Sequence, residues 1–324
     1  MAISRRTVGA TEGVYFAPSS AVLSTGSTLL DCALGGGWAR NRIINVVGDR
    51  STGKTLLAIE AAANFHRTFP DGKIDYIELE AAFDEEYATT VGFPQGVTPI
   101  ENLRTIEDIF KHLEGLPAGP RLVVVDSLDA AGSEKDLKDE LGDHGFGVQK
   151  PKLLSEMFMR LVRSLSEKQI TLFIISQVRE NIGGMGAKYT RSGGKALDFY
   201  ASQIVWLKQI RKIEKNIEKI TRTVGIEVVA NCTKNKIGPA YREAPMEILF
   251  GYGIDNLHSS LYWLAQSSPK VLEESLSMNP SRMQHRYDRL SDRELISRVD
   301  GIVRDQWRAL EKKFAITARK YDAS

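Results

Sequence analysis

The chain has 324 residues, 42% of them hydrophobic and 26% charged, with a formal net charge of +2. Those values suit a globular protein with a sizeable core, one large domain plus a smaller one, and exclude a disordered or fibrous chain. They also exclude binding of nucleic acid by overall charge, so any such surface must be local.

Along the chain, Met1 to Arg6 carries two arginines with no apolar run behind them, so no secretory leader is expected. No stretch approaches the roughly 18 apolar residues of a membrane helix. Cys32 and Cys232 are far apart, lack metal-ligand spacing and read as reduced packing residues of a cytoplasmic chain. Ile43 to Val47 reads as a buried strand and Leu56 to Ala63 as a helix. Between them lies Gly48-Asp49-Arg50-Ser51-Thr52-Gly53-Lys54-Thr55, a phosphate-loop pattern in the strand–loop–helix setting it needs. Its glycines let successive N–H groups point at phosphate oxygens, and the helix start adds its own free donors. Lys54 would reach the β- and γ-phosphates of ATP, and the Thr55 hydroxyl would hold Mg²⁺.

Strands and helices continue to alternate, which predicts an α/β fold with a mostly parallel central sheet. Ile74 to Leu79, Leu122 to Ser127 and Thr171 to Gln177 read as strands, and Ile106 to Leu113 and Leu153 to Leu165 as helices. Gln203 to Ile210 and Val224 to Thr233 read as an antiparallel pair, with the charged stretch Arg211 to Arg222 as a solvated tip. Asp126 ends its strand where a carboxylate faces the ligand crevice and can hold Mg²⁺. Glu78 and Glu80 are both placed to activate the attacking water, and local sequence does not choose between them. Gln177 closes its apolar strand and can sense the γ-phosphate. The following segment, Arg179 to Lys195, is glycine-rich and basic, with Lys188 and Arg191. A second glycine-rich segment, Asp139 to Gly147, carries Phe146 between two glycines, suited to stacking on a nucleobase or to packing on the core. Ser291 to Glu294 reads as a capping box before an amphipathic helix with Leu295, Val299, Trp307 and Phe314.

Several separated motifs together resemble the RecA-type recombinases, over about Leu23 to Ile254. They are Ser24-Thr25-Gly26-Ser27 with Leu30-Asp31, the phosphate loop, Glu78 to Asp84 with Tyr87, and Val123 to Ser127. They continue through Leu141-Gly142-Asp143, Gln177-Val178-Arg179 with Ile182-Gly183, Gly193 to Leu197 with Phe199-Tyr200, and Lys234-Asn235-Lys236-Ile237. The resemblance implies a RecA-like ATPase and DNA-binding core over 21–256, an N-terminal oligomerisation segment over 1–20, and a small helical C-terminal domain over 257–324. It selects Glu80 as the catalytic carboxylate, Gln177 as the γ-phosphate sensor, and Asp84 and Tyr87 as holders of the adenine. It places DNA on Phe146, Lys150, Lys152, Arg179, Ile182, Lys188, Arg191 and Lys195, and carries Lys234 and Lys236 to the ATP of a neighbouring subunit. The implied activity is DNA-dependent ATP hydrolysis driving strand exchange between single-stranded DNA and homologous duplex, within a helical filament of the chain. An accessory protein that uses ATP as a binding switch is the alternative. The resemblance also implies a cytoplasmic site of action, in a bacterium or a phage-infected host, and a single-strand-binding or loader protein as a partner. Departures are the absence of a helical pattern in residues 1–20, which leaves Tyr15 or Phe16 as an anchor, Pro151 in place of a basic residue, and the lack of an acidic tail.

Overall fold

A computed structural model of the chain describes residues 16–134, 149–180, 189–190, 194–279 and 290–316. Short strands β1 (Val22–Leu23) and β2 (Trp38–Ala39) pair antiparallel around helix α1 (Thr28–Ala33), whose first turn is capped by Ser27. Strand β3 (Ile43–Gly48) then leads into α2 (Lys54–Thr68), followed by β4 (Lys73–Glu78), α3 (Glu85–Val91), α4 (Ile106–Gly115) and β5 (Arg121–Asp126). Helix α5 (Gln149–Glu167), β6 (Ile170–Gln177), the small pair β7 (Arg179–Glu180) and β8 (Tyr189–Thr190), and α6 (Gly194–Tyr200) come next. The chain continues through β9 (Gln203–Ile217), β10 (Ile220–Asn235), β11 (Arg242–Leu249) and β12 (Gly253–Ile254). It then forms α7 (Asn256–Ser267), α8 (Pro269–Leu276) and α9 (Arg293–Phe314).

Eight strands form one sheet in the order β12-β11-β10-β9-β3-β6-β5-β4. The five from β9 to β4 run parallel, and the three at the other side are antiparallel. The expected mostly parallel sheet is therefore present. Its central strands are mostly apolar because both faces are covered: all six residues of β3 are buried, Asn45 being the one polar side chain among them. In the parallel registers Gly48 lies beside Gln177 and Leu207, and Glu78 beside Asp126. This brings the phosphate loop, Gln177, Asp126 and Glu78 to one edge of the sheet, the carboxyl edge where such folds bind ligands.

The charged stretch 211–222 is the expected solvated hairpin tip, almost wholly exposed and built of paired strand. β9 and β10 pair almost to their ends, so that only Glu218 (φ 52°) and Lys219 (φ 68°) make the turn. β3 accompanies β9 only to Leu207, and β11 accompanies β10 only from Gly225 onward. Beyond these points the two strands hydrogen-bond to each other, and that pairing needs no apolar cover.

In the C-terminal part, α9 is capped by Asp292, whose carboxylate accepts from the Leu295 N–H at 3.0 Å, rather than by Ser291. A charged acceptor is favoured at the positive end of a helix. Leu257, Leu261, Leu264, Leu272, Val299, Val303 and Trp307 share one buried cluster with Leu29, Leu30, Met246 and Ile248. Arg242 grips Glu311 through two bonds of 2.7 Å, and the Trp263 and Trp307 rings stack 5.6 Å apart. Phe16 packs on this cluster, with the Arg308 guanidinium 5.1 Å from its ring centre. No helix among the described residues is long and apolar enough to cross a membrane. Both cysteines are free and buried, and burial pushes each thiol up to about 12.

Glu60 of α2 is wedged between two glycines. A Cβ at Gly26 or at Gly253 would lie 2.9 Å from its carboxyl oxygens, and Ile254 N–H donates to it at 3.4 Å. Burial raises its pKa from 4.5 to about 7. Because the folded value lies above the unfolded one, this group favours folding least above pH 7 and not at all adversely below about pH 4.5. Glu60→Gln is therefore expected to stabilise the chain at pH 8 by roughly 2–3 kcal/mol, an advantage that fades as pH falls from 7 toward 4.5. Urea unfolding at the two pH values checks this; equal advantages at both would contradict it.

Candidate nucleotide site

The phosphate loop is held by close packing at its two glycines. A Cβ on Gly48 would lie 2.6 Å from Thr52 Oγ1, and one on Gly53 (φ 90°) 2.5 Å from Ile248 Cδ1. Arg50 and Ser51 stand exposed on the loop, and the Thr52 hydroxyl donates to the Asp49 carbonyl at 2.9 Å. Lys54 opens α2; its side chain is buried, and its ammonium donates to the same Asp49 carbonyl at 2.6 Å. Burial lowers the Lys54 pKa, against the pull of Asp126 and Glu80. The Thr55 hydroxyl and the Tyr76 hydroxyl both donate to Asp126 Oδ2 at 2.8 Å. Burial raises the Asp126 pKa, and these two donors oppose the rise.

The two glutamates do different things. Glu78 is buried, and its carboxylate accepts from the backbone N–H groups of Glu80 (3.0 Å), Ala81 (2.8 Å) and Ala82 (3.2 Å). It is spent on the turn that follows β4, where Ala81 adopts φ 54°. Glu80 is exposed on that turn. Its Oε1 accepts from the Ser127 hydroxyl and, at 2.6 Å, from the Gln177 side-chain amide. The structure thus brings Glu80, Gln177, Lys54, Thr55 and Asp126 to one edge of the sheet.

Asp84 caps α3 by accepting from the Tyr87 N–H at 2.9 Å. Tyr87 lines a cavity of about 260 Å³ together with Ser51, Gly53, Thr55 and three residues that sequence reasoning missed, Ile226, Ile248 and Phe250. Phe250 is 58% exposed, on the rim of this cavity. The cavity joins the phosphate loop to two aromatic rings, Tyr87 and Phe250.

The remaining expectations divide. Phe146, Ile182, Lys188 and Arg191 lie outside the described residues. Arg179 belongs to β7, paired opposite Thr190. Lys152 and Lys195 are exposed, with Lys152 4.0 Å from Glu156 one helical turn on. Lys150 stands at the start of α5. Its ammonium is turned inward onto the carbonyls of Leu128 (3.3 Å), Asp129 (3.3 Å) and Ala131 (2.7 Å). Lys234 donates to the carbonyls of Asp198 and Phe199 at the end of α6, the latter at 2.9 Å, while Lys236 is exposed.

A phosphate loop opening a helix beside a strand-end carboxylate defines a P-loop nucleotide-binding protein. Thr55 and Asp126 offer a hydroxyl and a carboxylate 2.8 Å apart, an all-oxygen set that fits Mg²⁺. Residues 14–255 match the family model described as the RecA N-terminal domain. The chain is 33% identical over 237 residues to Protein RecA of Streptomyces venezuelae, covering 72% of this chain and 61% of that one. It is 35% identical over 238 residues to Protein RecA of Clavibacter michiganensis, covering 72% and 64%. A solved structure titled as that of the RadB recombinase shares the fold, with TM-score 0.52 and 21% identity over 72% of this chain and 98% of that one. The chain belongs to the RecA family, and it spans a little over three-fifths of the length of these curated relatives.

Proposed function

We propose that the chain is an ATP-dependent recombinase, which assembles as a filament on single-stranded DNA and pairs it with homologous duplex. The observation that carries this reading is the contact of Glu80 with Gln177, because it joins a candidate general base to the residue from which a basic, glycine-rich segment departs. In this reading the phosphate loop and Lys54 hold the ATP phosphates, and Tyr87 and Phe250 flank the base. Thr55 and Asp126 would hold Mg²⁺, which would supply charge neutralisation at the phosphates. Glu80 orients the attacking water and takes its proton at the carboxylate. Gln177 senses the γ-phosphate and passes its state to the segment beginning at Arg179. Lys236, with Lys234, serves the nucleotide of a neighbouring copy. Phe146 and Ile182 contact the bases.

Electron microscopy of the protein with single-stranded DNA and a non-hydrolysable ATP analogue tests the reading. Long helical filaments are expected. Isolated rings or monomers would overturn it, and nucleotide-dependent DNA binding without filaments or hydrolysis would mark an accessory protein.

A further inference from the structure

A turn between β5 and α5 has a connection that the site chemistry does not require. The ladder joining β5 to β6 ends at the pair Val125 and Ile174, after which the chain turns away through Ser127. Leu128 N–H still reaches the Ile175 carbonyl at 3.1 Å. The next donor on that side, the backbone N–H of Gln177, goes to a side chain: Asp129 Oδ2 accepts it at 2.7 Å. The same turn is gripped from its other side by Lys150, the second residue of α5, through the carbonyls of Leu128, Asp129 and Ala131. Ser127, at the start of the turn, holds the Glu80 carboxylate, and the Gln177 side chain holds it from β6.

We propose that Asp129 and Lys150 are positioning residues that couple DNA binding to hydrolysis, by fixing the start of α5, the end of β6 and Glu80 to one turn. The inference rests on the reading given above, in which the segment carrying Phe146 and the segment after Gln177 contact DNA and Glu80 is the base. The start of α5 directly follows the first of those segments, and Gln177 stands two residues before Arg179, where the second begins. All four bonds at the turn involve a charged side chain, and charge-assisted hydrogen bonds are about twice as strong as neutral ones. A shift of the start of α5 moves three carbonyls of one turn together. Asp129 carries that movement to the main chain of Gln177, and so to the amide that touches Glu80. Contacts thus run unbroken from the start of α5 to the Glu80 carboxylate.

The test measures ATP hydrolysis by the full-length protein with and without single-stranded DNA, for wild type, Asp129→Ala, Asp129→Asn and Lys150→Met. Asp129→Ala is expected to cut the ratio of DNA-stimulated to DNA-free kcat at least tenfold, with KM for ATP changed less than about twofold. Asp129→Asn keeps an acceptor oxygen in place and is expected to recover most of the ratio. Lys150→Met keeps the apolar stem, should lower the ratio like Asp129→Ala, and the double variant should be no worse than either single one, as for two links in one chain. Amide hydrogen exchange over Ser176 to Val178, measured without nucleotide, should speed up in Asp129→Ala. An unchanged stimulation ratio in Asp129→Ala and Lys150→Met, beside a stimulated wild type, overturns the inference alone. Lack of stimulation in the wild type overturns the proposed function, and the inference with it.

Discussion

Glu80→Gln is expected to bind ATP as tightly as the wild type and to lose at least a hundredfold of DNA-dependent hydrolysis. The amide preserves an oxygen for the Ser127 hydroxyl and the Gln177 amide, so the turn after β4 keeps its contacts. What it loses is the ability to take a proton, and a positioned base contributes roughly 10²–10⁴ in rate. Single-turnover hydrolysis and equilibrium binding of a fluorescent ATP analogue separate the two effects. Wild-type hydrolysis by Glu80→Gln would remove Glu80 from the chemistry. Glu78→Gln makes a useful contrast. An amide cannot accept from three backbone N–H groups as a carboxylate does, so that variant should loosen residues 80–82 and weaken nucleotide binding and hydrolysis together.

A second large effect is expected when two inactive variants are mixed. If Lys236 serves the nucleotide of a neighbour, each working site needs Lys54 from one copy and Lys236 from the next. Lys54→Ala and Lys236→Ala should each be nearly inactive, for different reasons: one removes a buried ammonium from the phosphate loop, the other an exposed ammonium at a distant strand end. In an equimolar, randomly mixed filament about one contact in four pairs an intact loop with an intact Lys236, because head-to-tail contacts join unlike surfaces. Hydrolysis should therefore return on mixing, much as an arginine supplied in trans completes other phosphoryl-transfer sites. Co-assembly of the two variants, shown by differential labelling, with no recovered hydrolysis would place Lys236 outside the neighbour's site.

The readable parts of this chain were those whose partners lie close in sequence. The phosphate loop, its strand and its helix occupy residues 43–68, and the glycines, Lys54 and Thr55 announce themselves together. The parallel strands were legible because burial on both faces makes them apolar runs. Glu78 and Glu80 could not be separated by pattern alone: they lie two residues apart, and their difference is a turn that folds three N–H groups back onto one carboxylate. The inward contacts of Lys150 were not legible, because its acceptors sit about twenty residues earlier and are backbone carbonyls, which leave no mark in side-chain pattern. Ile226, Ile248 and Phe250 were missed for a similar reason. They reach the cavity from the antiparallel side of the sheet, far along the chain from the loop they face.

The ribbon formed by the far ends of β9 and β10 exposes strand edges that no neighbouring strand covers among the described residues. Bare edges of this kind invite a second chain to add on and grow into an aggregate. Here residues 208–224 carry six cationic side chains against two acidic ones, and Lys215 and Arg222 sit directly opposite each other. Another copy docking edge to edge would bring this surplus of positive charge against itself, and like charges facing across strands repel. The arrangement lets a long hairpin stay exposed while discouraging indiscriminate edge-to-edge stacking.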